Sequence, residues 1–142
     1  MNIVVDTSVL ISALFWKGPP AEALKIILAD HFLVQSQPTL KEFTSVVRRD
    51  KFKSILQNRG LTPEILIETL LLESKFFSIS RSSEKKSQRI EIADEKDRPF
   101  LELAFESKAP FIISGDKHLL NLKKAGEIEL VGVQEFLGKI KK

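Results

Sequence analysis

Four acidic residues, Asp6, Glu42, Asp97 and Asp116, stand at places where a folded chain of this pattern could use them together. Two of them follow apolar runs: Asn2-Ile3-Val4-Val5 leads into Asp6-Thr7-Ser8, and Phe111-Ile112-Ile113 leads into Ser114-Gly115-Asp116. Neither run alternates with polar residues, which is how a strand covered on both faces of a parallel sheet reads. A carboxylate just past such a strand sits at its C-terminal lip, where open α/β sheets bind ligands. Glu42 lies early in a helical pattern whose apolar stripe is Leu40, Phe43, Val46 and Val47, and it falls off that stripe. Asp97 precedes a helix carrying Phe100, Leu101, Leu103, Ala104 and Phe105. Carboxylates crowded together repel, and the crowding is tolerable only if they are protonated or share a cation. With no cysteine and two histidines in the chain, hard oxygen ligands favour Mg²⁺ or Mn²⁺ over zinc. Such an ion lowers the pKa of a bound water and relieves the negative charge that a nucleophile meets at a phosphodiester. The expected chemistry is therefore metal-assisted cleavage of a phosphodiester backbone.

Each acid also has an ordinary structural role open to it. An aspartate between strand and helix caps the helix, as Asp6, Asp116, and either Asp94 or Asp97 would. Glu42 could simply be favoured by a helix dipole. Hydroxyls at Thr7 and Ser8, and at Ser114, are expected to take over the capping and leave the two strand-end aspartates free. His31, leading into a strand, and His118, beside Asp116, offer no histidine-based triad; His118 could contact a substrate or be an exposed helix residue.

The elements that must position these residues follow from the periodicity. Apolar strands near residues 2–5, 32–34, 76–79, 111–113 and 128–131 alternate with helical patterns, which predicts a three-layer α/β/α sandwich around a mostly parallel sheet. Residues 81–89 are polar and basic without periodicity and read as an exposed loop. At 142 residues, 43% hydrophobic and 29% charged, the chain fits one domain, residues 1–142, with a single sizeable core. The composition suggests neither disorder nor a membrane span. Entry into a strand at the N-terminus argues against a secretory leader, and the lack of cysteine fits a reducing cytoplasm. A net charge of +3 and a pI near 9.2 permit a polyanionic partner, more so if four acids are gathered in one cleft. Arg48, Arg49, Lys51 and Lys53, and further on Arg81, Lys85, Lys86 and Arg89, could contact the phosphates of such a partner or simply form solvated surface. Trp16 could stack on a base or pack at a helix end or dimer seam.

Residues 3–13, Ile-Val-Val-Asp-Thr-Ser-Val-Leu-Ile-Ser-Ala, resemble the first ordered motif of PIN-domain proteins. So do the Glu42 helix with Arg48-Arg49-Asp50-Lys51-Phe52 after it, residues 94–104, and Ile113-Ser114-Gly115-Asp116-Lys117-His118-Leu119-Leu120. Four motifs in the right order make the resemblance specific, and it is strongest to prokaryotic toxins of toxin-antitoxin pairs. The resemblance implies a five-stranded sheet in the order 3-2-1-4-5 and a Mg²⁺- or Mn²⁺-dependent ribonuclease leaving a 5′-phosphate and a 3′-hydroxyl. It implies an acidic quartet of Asp6, Glu42, Asp97 and Asp116, with Asp94 as an accessory acid and Ser114 in the place of a common threonine. RNA, a cognate antitoxin and a second copy of the chain are the implied partners. Arg98 departs from the pattern, because an acid or a polar residue is usual after the third acid; its charge would either lower metal affinity or help to hold a phosphate. Two readings compete with the nuclease: an aspartyl-phosphate enzyme of similar architecture, and a PIN-like module that binds RNA or protein without cutting.

Overall fold

Strand β1 (Asn2–Val5) is apolar at three consecutive positions because helices cover both of its faces. In the computed structural model, which describes residues 1–141, Ile3 and Val5 point into one core and Val4 into another, the two-residue period of a strand. The core holding Ile3 and Val5 is built with α1 (Thr7–Phe15), α2 (Pro19–Asp30), α3 (Gln37–Val47), α4 (Asp50–Asn58), α5 (Pro63–Glu73) and α9 (Val133–Ile140). The core holding Val4 is built with α7 (Arg98–Ser107) and α8 (Lys117–Leu120). The expected three-layer α/β/α sandwich is the architecture observed.

β1 pairs in parallel with β2 (Phe32–Gln35) and with β4 (Phe111–Ile113), in the registers Ile3↔Leu33 and Val4↔Ile112. β2 pairs in parallel with β3 (Ser74–Phe76), and β4 with β6 (Ile128–Val131). The five parallel strands keep the expected order. A sixth strand, β5 (Lys124–Ala125), adds an antiparallel edge beyond β6. It is two residues long with no apolar pattern, and the chain reverses after it at Gly126, whose φ of +62° suits glycine. The connections up to β3 run over one face and those after it over the other, so the crevice between the C-terminal ends of β1 and β4 is the switch point of the sheet.

Two expected elements are corrected. The third strand lies at Ser74–Phe76 rather than 76–79, because α5 ends at Glu73 and pairing with β2 begins at once, Leu33 opposite Ser74. The basic stretch is not a loop: Arg81–Gln88 forms α6. Its inner face is serine instead of aliphatic. Ser83 and Ser87 are buried against α7, and the Ser80 amide and Ser83 hydroxyl both donate to Glu106 Oε1, at 2.7 and 2.9 Å. A helix docked by small hydroxyls carries no hydrophobic period to read.

Candidate active site

Asp6 leaves the end of β1 and caps α1. Its Oδ1 accepts from the Val9 amide at 3.0 Å and from the Ser8 hydroxyl at 3.0 Å. Its Oδ2 accepts from the Ser114 hydroxyl. Asp116 caps α8 in the same way, accepting from the His118 amide at 2.9 Å. The expectation that neighbouring hydroxyls would relieve these aspartates of capping is therefore wrong. An aspartate carboxylate serves well there because it can face the amides of a helix's first turn, and its remaining lone pairs stay available.

The hydroxyls position the acids instead. Ser114, buried at the end of β4, accepts from the Asp116 amide at 3.0 Å while donating to Asp6, so one side chain ties the two strand ends together. Thr7 donates to Glu42 Oε2 at 2.6 Å and ties α1 to α3. Burial pushes the Asp6 carboxyl above its usual range, against hydrogen bonds, that of Ser114 foremost, which pull it down.

Asp97 begins α7 without capping it. The cap of the preceding 3₁₀ turn, Glu95–Asp97, is Asp94, whose carboxylate accepts from the Lys96 amide at 3.0 Å. The Asp97 carboxyl is pushed up from 3.8 to about 6, by burial first and then by the negative charges of Asp116, Asp94, Asp6 and Glu42. All four quartet acids and the accessory acid thus face one mouth at the switch point. They do not form a ready cage: among the described residues, no group of three or more acidic or histidine side chains is arranged to hold a metal ion as it stands. Asp6 and Glu42 each have an oxygen engaged by a hydroxyl. As donors, these hard oxygens fit Mg²⁺ or Mn²⁺.

The basic residues divide. Arg49 and Lys51 line a groove of about 570 Å³ that also includes Thr7 and Glu42 and extends to Trp16. Arg48 is turned to Glu64, 3.7 Å away, with both side chains more than half exposed, an ion pair worth little. Arg81, Lys85, Lys86 and Arg89 line a shallow surface made by α6 alone and are not gathered with the acids. His118 is exposed and borders a cavity of about 210 Å³ that Asp97 also lines. His31 Nδ1 lies 3.2 Å from the N-terminal amine.

Arg98 is engaged by the fold. Its guanidinium is bound to Glu95, at 2.6 Å through Nε and 2.9 Å through Nη2, and donates to the carbonyls of Ser87 and, at 3.2 Å, Ile90. It fastens the end of α6 to the start of α7. Arg98→Met should cost roughly 1–2 kcal/mol of stability, from leaving the part-buried Ser87 and Ile90 carbonyls without a charged donor, with any nuclease activity per folded molecule unchanged. Denaturant unfolding together with an activity assay would test this, and a selective loss of activity would return Arg98 to the site.

Residues 2–118 match the sequence model of the PIN domain. An uncharacterized protein of Methanocaldococcus jannaschii, MJ1680, is 32% identical over 125 residues, covering 87% of this chain and 76% of that protein. The VapBC2 structure from Rickettsia felis, bound to a DNA fragment from its promoter, superposes with a TM-score of 0.67 at 13% identity, covering 93% of this chain and 98% of the other. VapC20 of Mycobacterium tuberculosis, described as a sarcin-ricin loop cleaving toxin, gives a TM-score of 0.53 at 15% identity, covering 89% and 98%. The two structures share the fold, and the match of the sequence model over most of the chain shows that this protein belongs to the PIN domain family.

Proposed function

We propose that the protein is a Mg²⁺- or Mn²⁺-dependent ribonuclease and the toxin of a toxin-antitoxin pair. The observation that carries this reading is Asp97: a carboxyl without a capping duty, pushed up by burial and by four other acids. Negative charge concentrated at a sheet's switch point suits a cation-binding site. Asp6, Glu42, Asp97 and Asp116 would hold the metal, with Asp94 at the rim. Bound there, the ion would activate a water and offset charge on the phosphodiester. The chain's own part is positional. Ser114 fixes Asp6 against Asp116, and Thr7 fixes Glu42 against α1. No side chain need act as nucleophile; Asp6, buried and bonded through both oxygens, is poorly placed for the aspartyl-phosphate route.

The toxin reading draws on the structural neighbours, one described as a VapBC complex and the other as a cleaving toxin. A cognate antitoxin and a second copy of the chain are the proposed protein partners, and RNA in the cytoplasm is the proposed target. The test is incubation of total RNA with the protein and Mn²⁺, followed by mapping of the ends for 5′-phosphates. Asp6→Asn should cut at least about a hundredfold more slowly, since a ligand is lost, while keeping its fold because asparagine also caps. Undiminished metal-dependent cleavage by this variant would remove Asp6 from the site. Intact RNA after treatment with the parent protein would favour the non-catalytic binding module.

A further inference from the structure

Helix α6 adds no apolar side chain to the core. Its buried residues are Ser83 and Ser87, and hydrogen bonds hold it at both ends: the Ser80 amide and Ser83 hydroxyl donate to Glu106 near the end of α7, while Arg98 at the start of α7 donates to the Ser87 carbonyl. The two helices are therefore antiparallel, and the C-terminal end of α6 is tied to the residue that follows Asp97. What α6 presents outward is charge. Arg81, Lys85 and Arg89, four residues apart, form one stripe about 12 Å long by the rise of a helix, with Lys86 beside it, and all four are exposed. Among the described residues none of the four is in an ion pair. Glu84, the one acid of the helix, lies near another acid instead: burial first, and then the charge of Glu84, pushes up the Glu102 carboxyl on α7. Like charges four residues apart repel, and Arg81 stands in the first turn, where the helix dipole disfavours a cation. Local stability opposes this pattern.

We propose that this face of α6 is an exosite for the sugar-phosphate backbone of RNA flanking the bond to be cut, with Arg81, Lys85, Lys86 and Arg89 as the phosphate contacts. The proposal rests on the ribonuclease reading and adds to it a second contact surface, on the side of the sheet that α7 covers. A regular row of cations on a rigid element suits a polymer whose charge is regularly repeated. Residues 81–89 include no aromatic or aliphatic side chain on which a base could stack, so the contact is made to phosphate and carries no sequence information. An acidic protein segment would meet the same charges, but the stripe offers none of the buried apolar anchors on which protein partners depend. Because the stripe ends at Arg89, beside the start of α7, a strand lying along it is led toward the acids at the switch point. Such a surface strengthens binding of the substrate and leaves the chemical step alone.

The experiment titrates the whole protein, in EDTA to prevent cleavage, into a labelled forty-nucleotide single strand at several salt concentrations, with anisotropy as the readout. The variant Arg81→Gln, Lys85→Gln, Arg89→Gln should bind at least about tenfold more weakly near physiological salt, and its salt slope should be lower by about 2, the loss of three single-strand phosphate contacts. Its unfolding midpoint should stay at or above that of the parent, because repulsion within the helix is relieved. Arg81→Lys with Arg89→Lys keeps the charges and should keep the affinity within about twofold. Lys25→Gln removes an exposed charge from α2, which packs in the other core, and should leave the slope unchanged. With Mn²⁺ added, the triple variant should show a KM raised about tenfold at unchanged kcat. Undiminished affinity or slope in the triple variant, an equal loss of slope per charge from Lys25→Gln, or a fall in kcat in place of the rise in KM would overturn the exosite. Displacement of the RNA by an oligoglutamate of equal charge as readily as by unlabelled RNA would also overturn it and give the surface to an acidic protein segment. Failure of the nuclease reading is distinguishable, for it appears as RNA that is bound through α6 but left uncut in Mn²⁺.

Discussion

Metal-free Asp97→Asn protein is expected to be more stable than the parent at pH 7 while cutting RNA at least about a hundredfold more slowly. The two effects share one cause. Burial and the charges of Asp116, Asp94, Asp6 and Glu42 raise the folded-state pKa of Asp97 from 3.8 to about 6, so its ionised form is disfavoured in the folded protein. For a carboxyl with a raised pKa the folded state holds its proton longer than the unfolded state does. Stability therefore falls as pH rises from about 3.8 through 6, and the penalty is complete above that window. Asparagine carries no such penalty. Full conversion of the shift at about 1.4 kcal/mol per unit overstates the gain, since Asp97 is partly exposed and its neighbours are screened by water; about 1 kcal/mol is a fair expectation. For a chain of this size that is a rise of about 2–4 °C in Tm. The difference should vanish below about pH 3, where both states are protonated. Thermal unfolding of the two proteins across pH 3–8 measures it. A variant less stable than its parent at pH 7, or one whose advantage ignores pH, would show that Asp97 serves the fold and not a charge cluster.

The parts of this structure that could be read from the sequence are those where apolar pattern and function coincide. Ile3-Val4-Val5 and Phe111-Ile112-Ile113 announce central strands because both of their faces are covered, and the aspartates after them mark the lip of the sheet. The convergence of Asp97 with Asp6, Glu42 and Asp116 was legible through the ordered motifs, because no local rule brings residues so distant in sequence together. Helix α6 was hidden because Ser83 and Ser87 dock it by hydrogen bonds, leaving no apolar period. The anchoring of Arg98 was hidden for a related reason. Besides Glu95, its partners are the carbonyls of Ser87, on a helix that the pattern did not disclose, and of Ile90, just past that helix's end. The roles of Thr7 and Ser114 were exchanged with those of the acids: local sequence offers hydroxyls as caps, whereas the fold uses them across elements, Thr7 to Glu42 and Ser114 to Asp6. The groove lined by Trp16, Arg49 and Lys51 joins α1 to the α3–α4 region, a meeting set by packing and not by spacing.

Adding Mn²⁺ should raise the Tm of the parent by about 5–10 °C at a hundred times its Kd. A ligand that binds only the folded state stabilises it by about 2.7 kcal/mol at that concentration, and each kcal/mol moves a protein of this size by about 2–4 °C. The direction follows from the same crowding that penalises Asp97, for a cation turns mutual repulsion into shared attraction. Protons compete for the same oxygens, and with Asp97 titrating near 6 the metal must displace a proton at lower pH. Its apparent affinity should therefore fall about tenfold for each pH unit below 6, and the shift in Tm should shrink between pH 7 and pH 5. Asp6→Asn and Asp97→Asn should lose most of the response. Asp94→Asn should keep most of it, because Asp94 is exposed and its capping bond to the Lys96 amide is one that asparagine can also make. Differential scanning fluorimetry with Mn²⁺ over pH 5–8 distinguishes these cases. A shift of equal size in parent and Asp97→Asn protein, or one indifferent to pH, would mean that the ion binds elsewhere on the surface, and the acids at the switch point would then be left as helix caps and a source of strain.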